Sequence, residues 1–313
     1  MKLSGKRITV TGGGGFLGRA LVERFTQDGA EVSAPRSDQY DLVDLDATRR
    51  MLADQRPDVL VHAAADVGGI GYNRLYPADI FFNNVVMSAN ILQVAKEHSV
   101  EKLVIVGSAC AYPGDAPGTL VEEGLLEGSL HESVECYGFS KRALFIGMKA
   151  FKEQYGLNSI FPVLTNVYGP WDKMDPDNSH VVAALIRKFV EAKRNRDPQV
   201  VCWGTGRPVR EFIYVEDAAD AIVLATRSYD DTEPLNVGTG IGTSIKELAD
   251  LFVDVTGFQG SVVWDTSKPD GALGKVLDVN RINTQLGWEA KIPLAEGLAR
   301  TVEWYEHQLD QAA

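Results

Sequence analysis

Cysteine is scarce in this chain. Only Cys110, Cys136 and Cys202 occur among 313 residues, and no two stand at a spacing that suits a metal site or a disulfide framework. That excludes a disulfide-stapled scaffold, fits a reducing compartment and leaves each thiol free to be a core residue or a reagent. No metal site is expected. Positive charge is also in deficit, with 31 basic residues against 43 acidic and a net charge of −12. The balance argues against nucleic acid or an anionic membrane as the main partner, while a local Arg/Lys pocket for an anionic substrate stays compatible. No apolar run approaches the ~18 residues of a membrane span. Met1 to Arg7 carry no long apolar stretch of the secretory-signal kind. A cytoplasmic location is expected. Internal repeats and low-complexity segments are absent.

What is there is a core-forming composition, 45% hydrophobic, long enough for one large domain or two smaller ones. Strand-like runs at Lys6–Thr11, Glu31–Ala34, Asp58–His62, Lys102–Val106 and Ser159–Leu164 alternate with helical spacing at Phe16–Gln27, Asp46–Gln55, Pro77–Glu97 and Glu135–Tyr155. Near-continuous apolar strands alternating with helices predict an α/β fold, a doubly wound parallel sheet of the Rossmann type. After Gly169 the rhythm breaks. A Pro/Asp/Asn-rich loop spans Pro170–Asn178, a helix runs to about Lys193, and shorter pieces follow at Val200–Trp203, Val215–Thr226, Ser244–Val255 and Val262–Trp264, before a last amphipathic helix at Leu294–His307. The expected division is a dinucleotide-binding part over 1–170 and a mainly substrate-binding part over 171–313, with some of its elements returning to the main sheet.

Between the first strand and the first helix stands Thr11-Gly12-Gly13-Gly14-Gly15-Phe16-Leu17-Gly18. Glycines there permit a tight turn, close approach to a pyrophosphate and tight helix–strand packing, and the helix N-terminus supplies N–H groups. The second strand ends without the acidic residue that reads a ribose 2′-hydroxyl; Arg36 follows, which suits a 2′-phosphate and hence NADP(H). A solvated surface Arg36 is the alternative, and Asp38 lies close by. Asp41 could contact the adenine or begin a helix.

Ser108 closes a strand, and Tyr137 and Lys141 share one helix face at i, i+4. Of the ten tyrosines only Tyr137 has a lysine four residues on. A Ser/Tyr/Lys set is a proton relay for hydride transfer to or from a carbonyl, with the lysine expected to lower the tyrosine pKa from its usual ~10 and to hold a ribose hydroxyl. An ordinary helical pair is the bland alternative. Cys110 and His180 form a second kind of set: a thiolate base and an imidazole acid able to move protons on carbons beside that carbonyl. Each alone has an ordinary reading, a buried thiol or a helix-capping histidine.

These residues, with His62-Ala63-Ala64-Ala65-Asp66-Val67-Gly68-Gly69-Ile70, Tyr76-Pro77-Ala78-Asp79, Ser108 to Pro113, Thr165 to Pro170, Asn178-Ser179-His180-Val181, Trp203 to Gly206, Arg210-Glu211-Phe212, Asn236 to Gly240 and Ser267-Lys268-Pro269-Asp270-Gly271, carry a resemblance over almost the whole chain. The sequence resembles the extended short-chain dehydrogenase/reductases and, within them, the GDP-L-fucose synthase family. The resemblance implies NADPH-dependent 3,5-epimerisation and 4-keto reduction of a GDP-4-keto-6-deoxy-sugar, with a related nucleotide-linked dideoxy or heptose sugar as the other substrate class. It implies that Ser108, Tyr137 and Lys141 reduce the ketone, with Cys110 as base and His180 as acid for epimerisation. Cofactor contacts are implied for Gly12, Gly15, Phe16, Leu17, Gly18, Arg36, Asp41, Ala64, Asn166, Val167 and His180 besides Tyr137 and Lys141. Lys188, Trp203, Arg210 and Lys275 are implied to hold the GDP-sugar. A homodimer through the helices at Pro77–Glu97 and Glu135–Tyr155 is likewise implied. The chain departs from the family pattern at Gly13-Gly14 (commonly His-Arg), Asp66 (commonly Lys or Arg), Lys188 (commonly Arg) and Leu164 (commonly Pro). A non-catalytic nucleotide sensor on the same fold tends to lose the tyrosine or lysine, and this chain keeps both.

Overall fold

The computed structural model describes residues 1–116, 118–175, 179–268, 270 and 274–312, and for Ile70 and Ala312 the backbone alone. Three of the residues in the motifs above (Asn178, Pro269 and Gly271) and the end of the Pro170–Asn178 loop lie outside the described residues.

The first half alternates strand and helix: β1 (Arg7–Thr11), α1 (Phe16–Gln27), β2 (Glu31–Ser33), α2 (Leu45–Gln55), β3 (Val59–His62), α3 (Ile70–Leu75), α4 (Pro77–Glu97), β4 (Lys102–Ile105), β5 (Gly107–Ser108), α5 (Glu135–Tyr155) and β6 (Ser159–Leu164). Next come β7 (Asn166–Tyr168), α6 (Val181–Asn195), β8 (Gln199–Trp203), β9 (Val209–Tyr214), α7 (Val215–Ser228) and β10 (Pro234–Val237). The last segments are β11 (Gly242–Ser244), α8 (Ile245–Thr256), β12 (Ser261–Asp265), β13 (Gly274–Lys275), α9 (Asn280–Leu286) and α10 (Leu294–Ala312).

Six strands form one continuous parallel order, β10-β6-β4-β3-β1-β2, and β5 continues the line of β4 by pairing with β6. The chain leaves β1 for β2 on one side and returns to β3 on the other. A crevice therefore opens where the order reverses, above the C-terminal ends at Thr11 and His62. Covered on both faces, the central strands are largely apolar: Val59, Leu60 and Val61 are fully buried, as are Leu103, Val104 and Ile105. One face packs against α1, α7 and α9 through Leu21, Phe25, Ile222 and Ile282. The other packs against α2, α4 and α5 through Met51, Ile91, Leu144 and Met148.

A second core lies between α6, α8 and α10 and the small strands, centred on Phe189, Phe252 and Phe258. There β9 is the hub: β7 and β13 lie parallel to it and β11 antiparallel. Glu211 locks that hub. Its carboxylate is fully buried and accepts N–H bonds from Thr239, Gly240 and Leu277 at 2.5, 2.9 and 2.7 Å. A buried acid in the middle of a strand is tolerable only with partners of this kind. Arg210 is thereby freed from an ion pair with Glu211, and Glu216 pairs with Arg300 instead. Among the described residues no helix is long and apolar enough to cross a membrane.

Candidate active site

The glycine loop fits a dinucleotide for steric reasons. Gly12 has φ +72°, and a Cβ there would come within 2.8 Å of the Ala64 backbone nitrogen. A Cβ on Gly18 would meet the Gly12 carbonyl oxygen at 2.0 Å, so α1 lies tight against the end of β1. Gly15 caps α1 without a side-chain hydrogen bond. The first-turn N–H groups of Phe16, Leu17 and Gly18 are thus presented to an anion rather than to a cap. At Gly14 a Cβ would have nothing within 4 Å among the described residues. Arg36 is exposed and pairs loosely with Asp38 at 3.4 Å. Asp41 accepts the Val43 N–H at 2.9 Å and shapes a turn, whereas the helix-starting acid is Asp44, which accepts from Asp46 and Ala47. Below the loop the buried His62 pairs through Nδ1 with Thr11 Oγ1 at 2.9 Å. Burial first, and the Lys141 charge second, push its pKa down to about 3, so the ring is neutral at physiological pH.

The Ser108 cluster is assembled by a close approach of α5 to the turn after β5. Ser108 Oγ accepts the Cys110 N–H at 3.2 Å and starts a 3-10 turn over Ala109–Ala111. A Cβ on Gly138 would lie 2.4 Å from the Cys110 carbonyl oxygen. That glycine lets Tyr137 and Lys141 reach the same turn. Arg142, one position beyond Lys141, clamps the turn by donating to the Ala111 and Gly128 carbonyls at 2.7 and 2.9 Å.

Lys141 donates to the Val106 carbonyl at 2.9 Å and sits 5.5 Å from the Tyr137 ring centroid. Burial lowers its pKa to about 8, with the Cys110 sulfur opposing the fall. The expectation that Lys141 lowers the Tyr137 pKa is corrected. Burial pushes the phenol up, the neighbouring Cys110 sulfur adds to the rise, and the hydrogen bond with Ser108 is the lowering influence. The phenol is therefore held protonated, as a donor to an oxygen that gains negative charge needs to be.

Cys110 adjoins two further cations. Burial lowers the pKa of Arg210 and of Lys275, and in both cases the neighbouring Cys110 sulfur is the leading opposing influence. The two cations are brought together because β13 pairs with β9 in the register Lys275↔Arg210. Lys275 also donates to the Ala109 carbonyl at 3.3 Å. Ser108, Cys110, Tyr137, Lys141, Arg210 and Lys275 thus meet in one place. Asn166, exposed at the start of β7, donates to the Glu211 carbonyl at 2.8 Å, with Val167 beside it.

His180 shares none of the contacts just described. It occupies the position before α6 but makes no side-chain capping bond, and its ring is 47% exposed. Its Nδ1 lies 3.6 Å from Oδ1 of the buried Asp172. Lys188 and Trp203 form a third group: Lys188 donates to the Val201 carbonyl at 2.8 Å, and its ammonium lies 5.4 Å from the exposed Trp203 ring. Lys268 sits 5.6 Å from the same ring. Residues that spacing did not single out are Gly138, Arg142, Glu211 and Asp172. The only sequence signal for Asp172 is that it lies a few residues ahead of His180.

The model of the NAD dependent epimerase/dehydratase family matches residues 8–238. The chain is 41% identical to the probable GDP-L-fucose synthase 1 of Oryza sativa, over 96% of this chain and 92% of that protein. It is 39% identical to the GDP-L-fucose synthase of Escherichia coli, over 99% of both. Among solved structures, a GDP-6-OMe-4-keto-L-xylo-heptose reductase from C. jejuni superposes with a TM-score of 0.92 at 30% identity, covering 98% of this chain and 99% of that one. A GDP-L-fucose synthetase from Naegleria fowleri bound to NADP gives 0.87 at 27%, covering 99% and 97%.

Proposed function

The chain belongs to the NAD dependent epimerase/dehydratase family, and from that premise we propose that it is an NADP(H)-dependent enzyme that epimerises GDP-4-keto-6-deoxy-D-mannose at C3 and C5 and reduces C4 to give GDP-L-fucose. The observation that carries this reading is the close approach of α5, with Tyr137 and Lys141, to the Cys110 turn, where Lys275 bonds the Ala109 carbonyl and stands in register with Arg210. One cluster then holds both a base for C–H bonds and a donor for the ketone oxygen.

A C4 ketone acidifies the protons at C3 and C5. Cys110 removes each in turn, with the negative charge passing to the C4 oxygen, and His180 returns a proton from the opposite face. Ser108 and Tyr137 hydrogen-bond that oxygen. Tyr137 then releases its proton to it during reduction, and the resulting phenolate is stabilised by Lys141. NADPH, when bound, supplies the hydride. Gly12, Gly15, Phe16, Leu17 and Gly18 would hold its pyrophosphate, Arg36 its 2′-phosphate and Lys141 its ribose, with Asp41, Ala64, Asn166, Val167 and His180 completing the contacts. Arg210 and Lys275 suit the substrate diphosphate, since Arg in particular binds such oxygens in a bidentate way. Trp203, flanked by Lys188, offers a stacking face to the base. In this scheme residues 1–170 serve the dinucleotide and 171–313 mainly the sugar nucleotide.

Incubation with NADPH and GDP-4-keto-6-deoxy-D-mannose is expected to oxidise one NADPH per GDP-L-fucose formed. Absence of NADPH loss with this sugar, but turnover with a GDP-linked dideoxy or heptose 4-ketone, would transfer the reading to that substrate class. Asp66 favours keeping that second class in the test. It receives hydrogen bonds from Tyr72 and Asn83 at 2.7 and 2.8 Å, at a position where the family commonly has a cation.

The reading places the enzyme in the cytoplasm as a homodimer. Phe81, Phe82, Phe139 and Ile146 on α4 and α5 are between 41% and 56% exposed. Phe81 and Phe139 already form a ring pair at 5.9 Å. Apolar exposure of this kind on two adjacent helices suits a second copy. Light scattering is expected to give twice the chain mass, and Phe82→Glu with Ile146→Glu to give a monomer; a wild-type monomer would contradict the dimer.

A further inference from the structure

We infer that Asp172 is the positioning residue for His180: it holds the imidazole with Nδ1–H turned inward, so that Nε2 is the atom that delivers the proton in epimerisation. The inference rests on the proposed role of His180 and extends it to a residue outside the reacting set.

Three observations lead here. The Asp172 carboxylate is buried, with a side chain 5% exposed, while the ring it faces is half open. Its Oδ1 accepts the Lys173 N–H at 2.8 Å and lies 3.6 Å from His180 Nδ1, a small adjustment from a hydrogen bond. Its Oδ2 is buried with no hydrogen-bond partner among the described residues. A buried carboxylate oxygen without a partner is costly, and such groups gather where function demands them. The second ring nitrogen of a histidine is set by the partner of the first. With Nδ1 directed at Asp172, Nε2 lies on the opposite edge of the ring, away from the buried acid.

The loop that presents Asp172 is held from both sides. Trp171 has φ +73°, a backbone conformation that side-chain-bearing residues rarely adopt. It persists because the ring is pinned: the Arg19 guanidinium of α1 lies 4.6 Å from its centroid, and Trp304 of α10 packs against it at 5.5 Å. The element that follows the glycine loop and the last helix thus jointly fix the residue next to Asp172. Strain held by surrounding contacts is what a preorganised site shows.

The proton balance is simple. The imidazolium gives its Nε2 proton to the enolate carbon of the substrate, the C–H bond forms, and the ring is left neutral with Nδ1–H directed at the Asp172 carboxylate. Water restores the Nε2 proton and takes up the one that Cys110 removed. Nothing is oxidised or reduced. The carboxylate stabilises the charged ring before transfer and fixes the tautomer afterwards, as the aspartate does in a Ser-His-Asp triad.

The test uses the whole enzyme with NADP⁺ and 15N-labelled histidine. In the wild type, the His180 resonances followed through a pH titration are expected to show the Nδ1–H tautomer once the ring is neutral; an Nε2–H tautomer would overturn the inference without any variant. Asp172→Asn is expected to slow deuterium wash-in at C3 and C5 of the keto-sugar by ~10²-fold. At saturating NADP⁺, oxidation of GDP-L-fucose uses Ser108, Tyr137 and Lys141 for its proton transfer and His180 only as a cofactor contact; its kcat should stay within about twofold of wild type, the small residual expected when general acid–base help is untouched, with any change falling on the KM for NADP⁺. Equal loss of both activities would mean a merely structural Asp172. His180→Asn serves as the control. If it slows wash-in while Asp172→Asn does not, the inference fails alone; if it leaves wash-in intact, the role of His180 fails and the inference with it.

Discussion

Replacing Tyr137 by Phe is expected to abolish ketone reduction while leaving proton exchange at C3 and C5. The loss should reach ~10³-fold or more in NADPH oxidation, about 4 kcal/mol of barrier. The ring is 8% exposed and packed on α5, so removing its hydroxyl spares the fold. What disappears is the proton donor that burial holds protonated, together with the partner of Ser108. Cys110 and its neighbours Arg210 and Lys275 are untouched. Exchange of the C3 and C5 protons in D2O with NADP⁺ present should therefore persist within an order of magnitude. NADPH turnover near the wild-type rate would remove Tyr137 from the mechanism.

Cys110→Ser is expected to do the reverse. An alcohol is a far weaker acid than a thiol, so the serine supplies almost no anion even among three cations. Wash-in at both carbons should fall by ~10²- to 10⁴-fold, the span typical of losing a general base. The turn itself should survive, because the 3-10 start depends on the backbone N–H of residue 110 and on Ser108 Oγ, not on the sulfur. Oxidation of GDP-L-fucose by NADP⁺ should remain measurable, since Tyr137 and Lys141 are unchanged. Loss at one carbon only would mean that a second base serves the other. If Tyr137→Phe and Cys110→Ser each lost both activities equally, the division of labour between the two sets would be wrong.

Much of the sheet was legible in the sequence because its strands are buried on both faces and its helices are long. The spans Phe16–Gln27, Pro77–Glu97, Glu135–Tyr155 and Ser159–Leu164 match their elements end to end. The second part is less legible. β9 interrupts its apolar run with Arg210 and Glu211, and a charged pair inside a strand disguises it until the N–H groups that satisfy Glu211 are seen. β10 is four residues long and contains Pro234 and Asn236, yet it completes the main sheet beside β6. α3 is a helix of six residues without a side-chain cap, too short for periodicity to announce. The site was legible as a set of residue types. Its electrostatics were not, because they depend on distance. Spacing along α5 pairs Tyr137 with Lys141, but it cannot show that the Lys141 ammonium is engaged by the Val106 carbonyl and that burial governs the phenol. Nor does spacing bring Arg210 and Lys275 to Cys110; the register of β9 with β13 does that.

The central claim is that one pocket moves protons at two carbons and then reduces the carbon between them. A single incubation of the protein with GDP-4-keto-6-deoxy-D-mannose and NADPH in D2O tests it, with product read by NMR and NADPH by absorbance. The account predicts GDP-L-fucose carrying deuterium at C3 and C5, with one NADPH oxidised per product. A reduced sugar that keeps its original protons at both carbons would contradict it, leaving a simple 4-reductase in which Cys110 and His180 take no part.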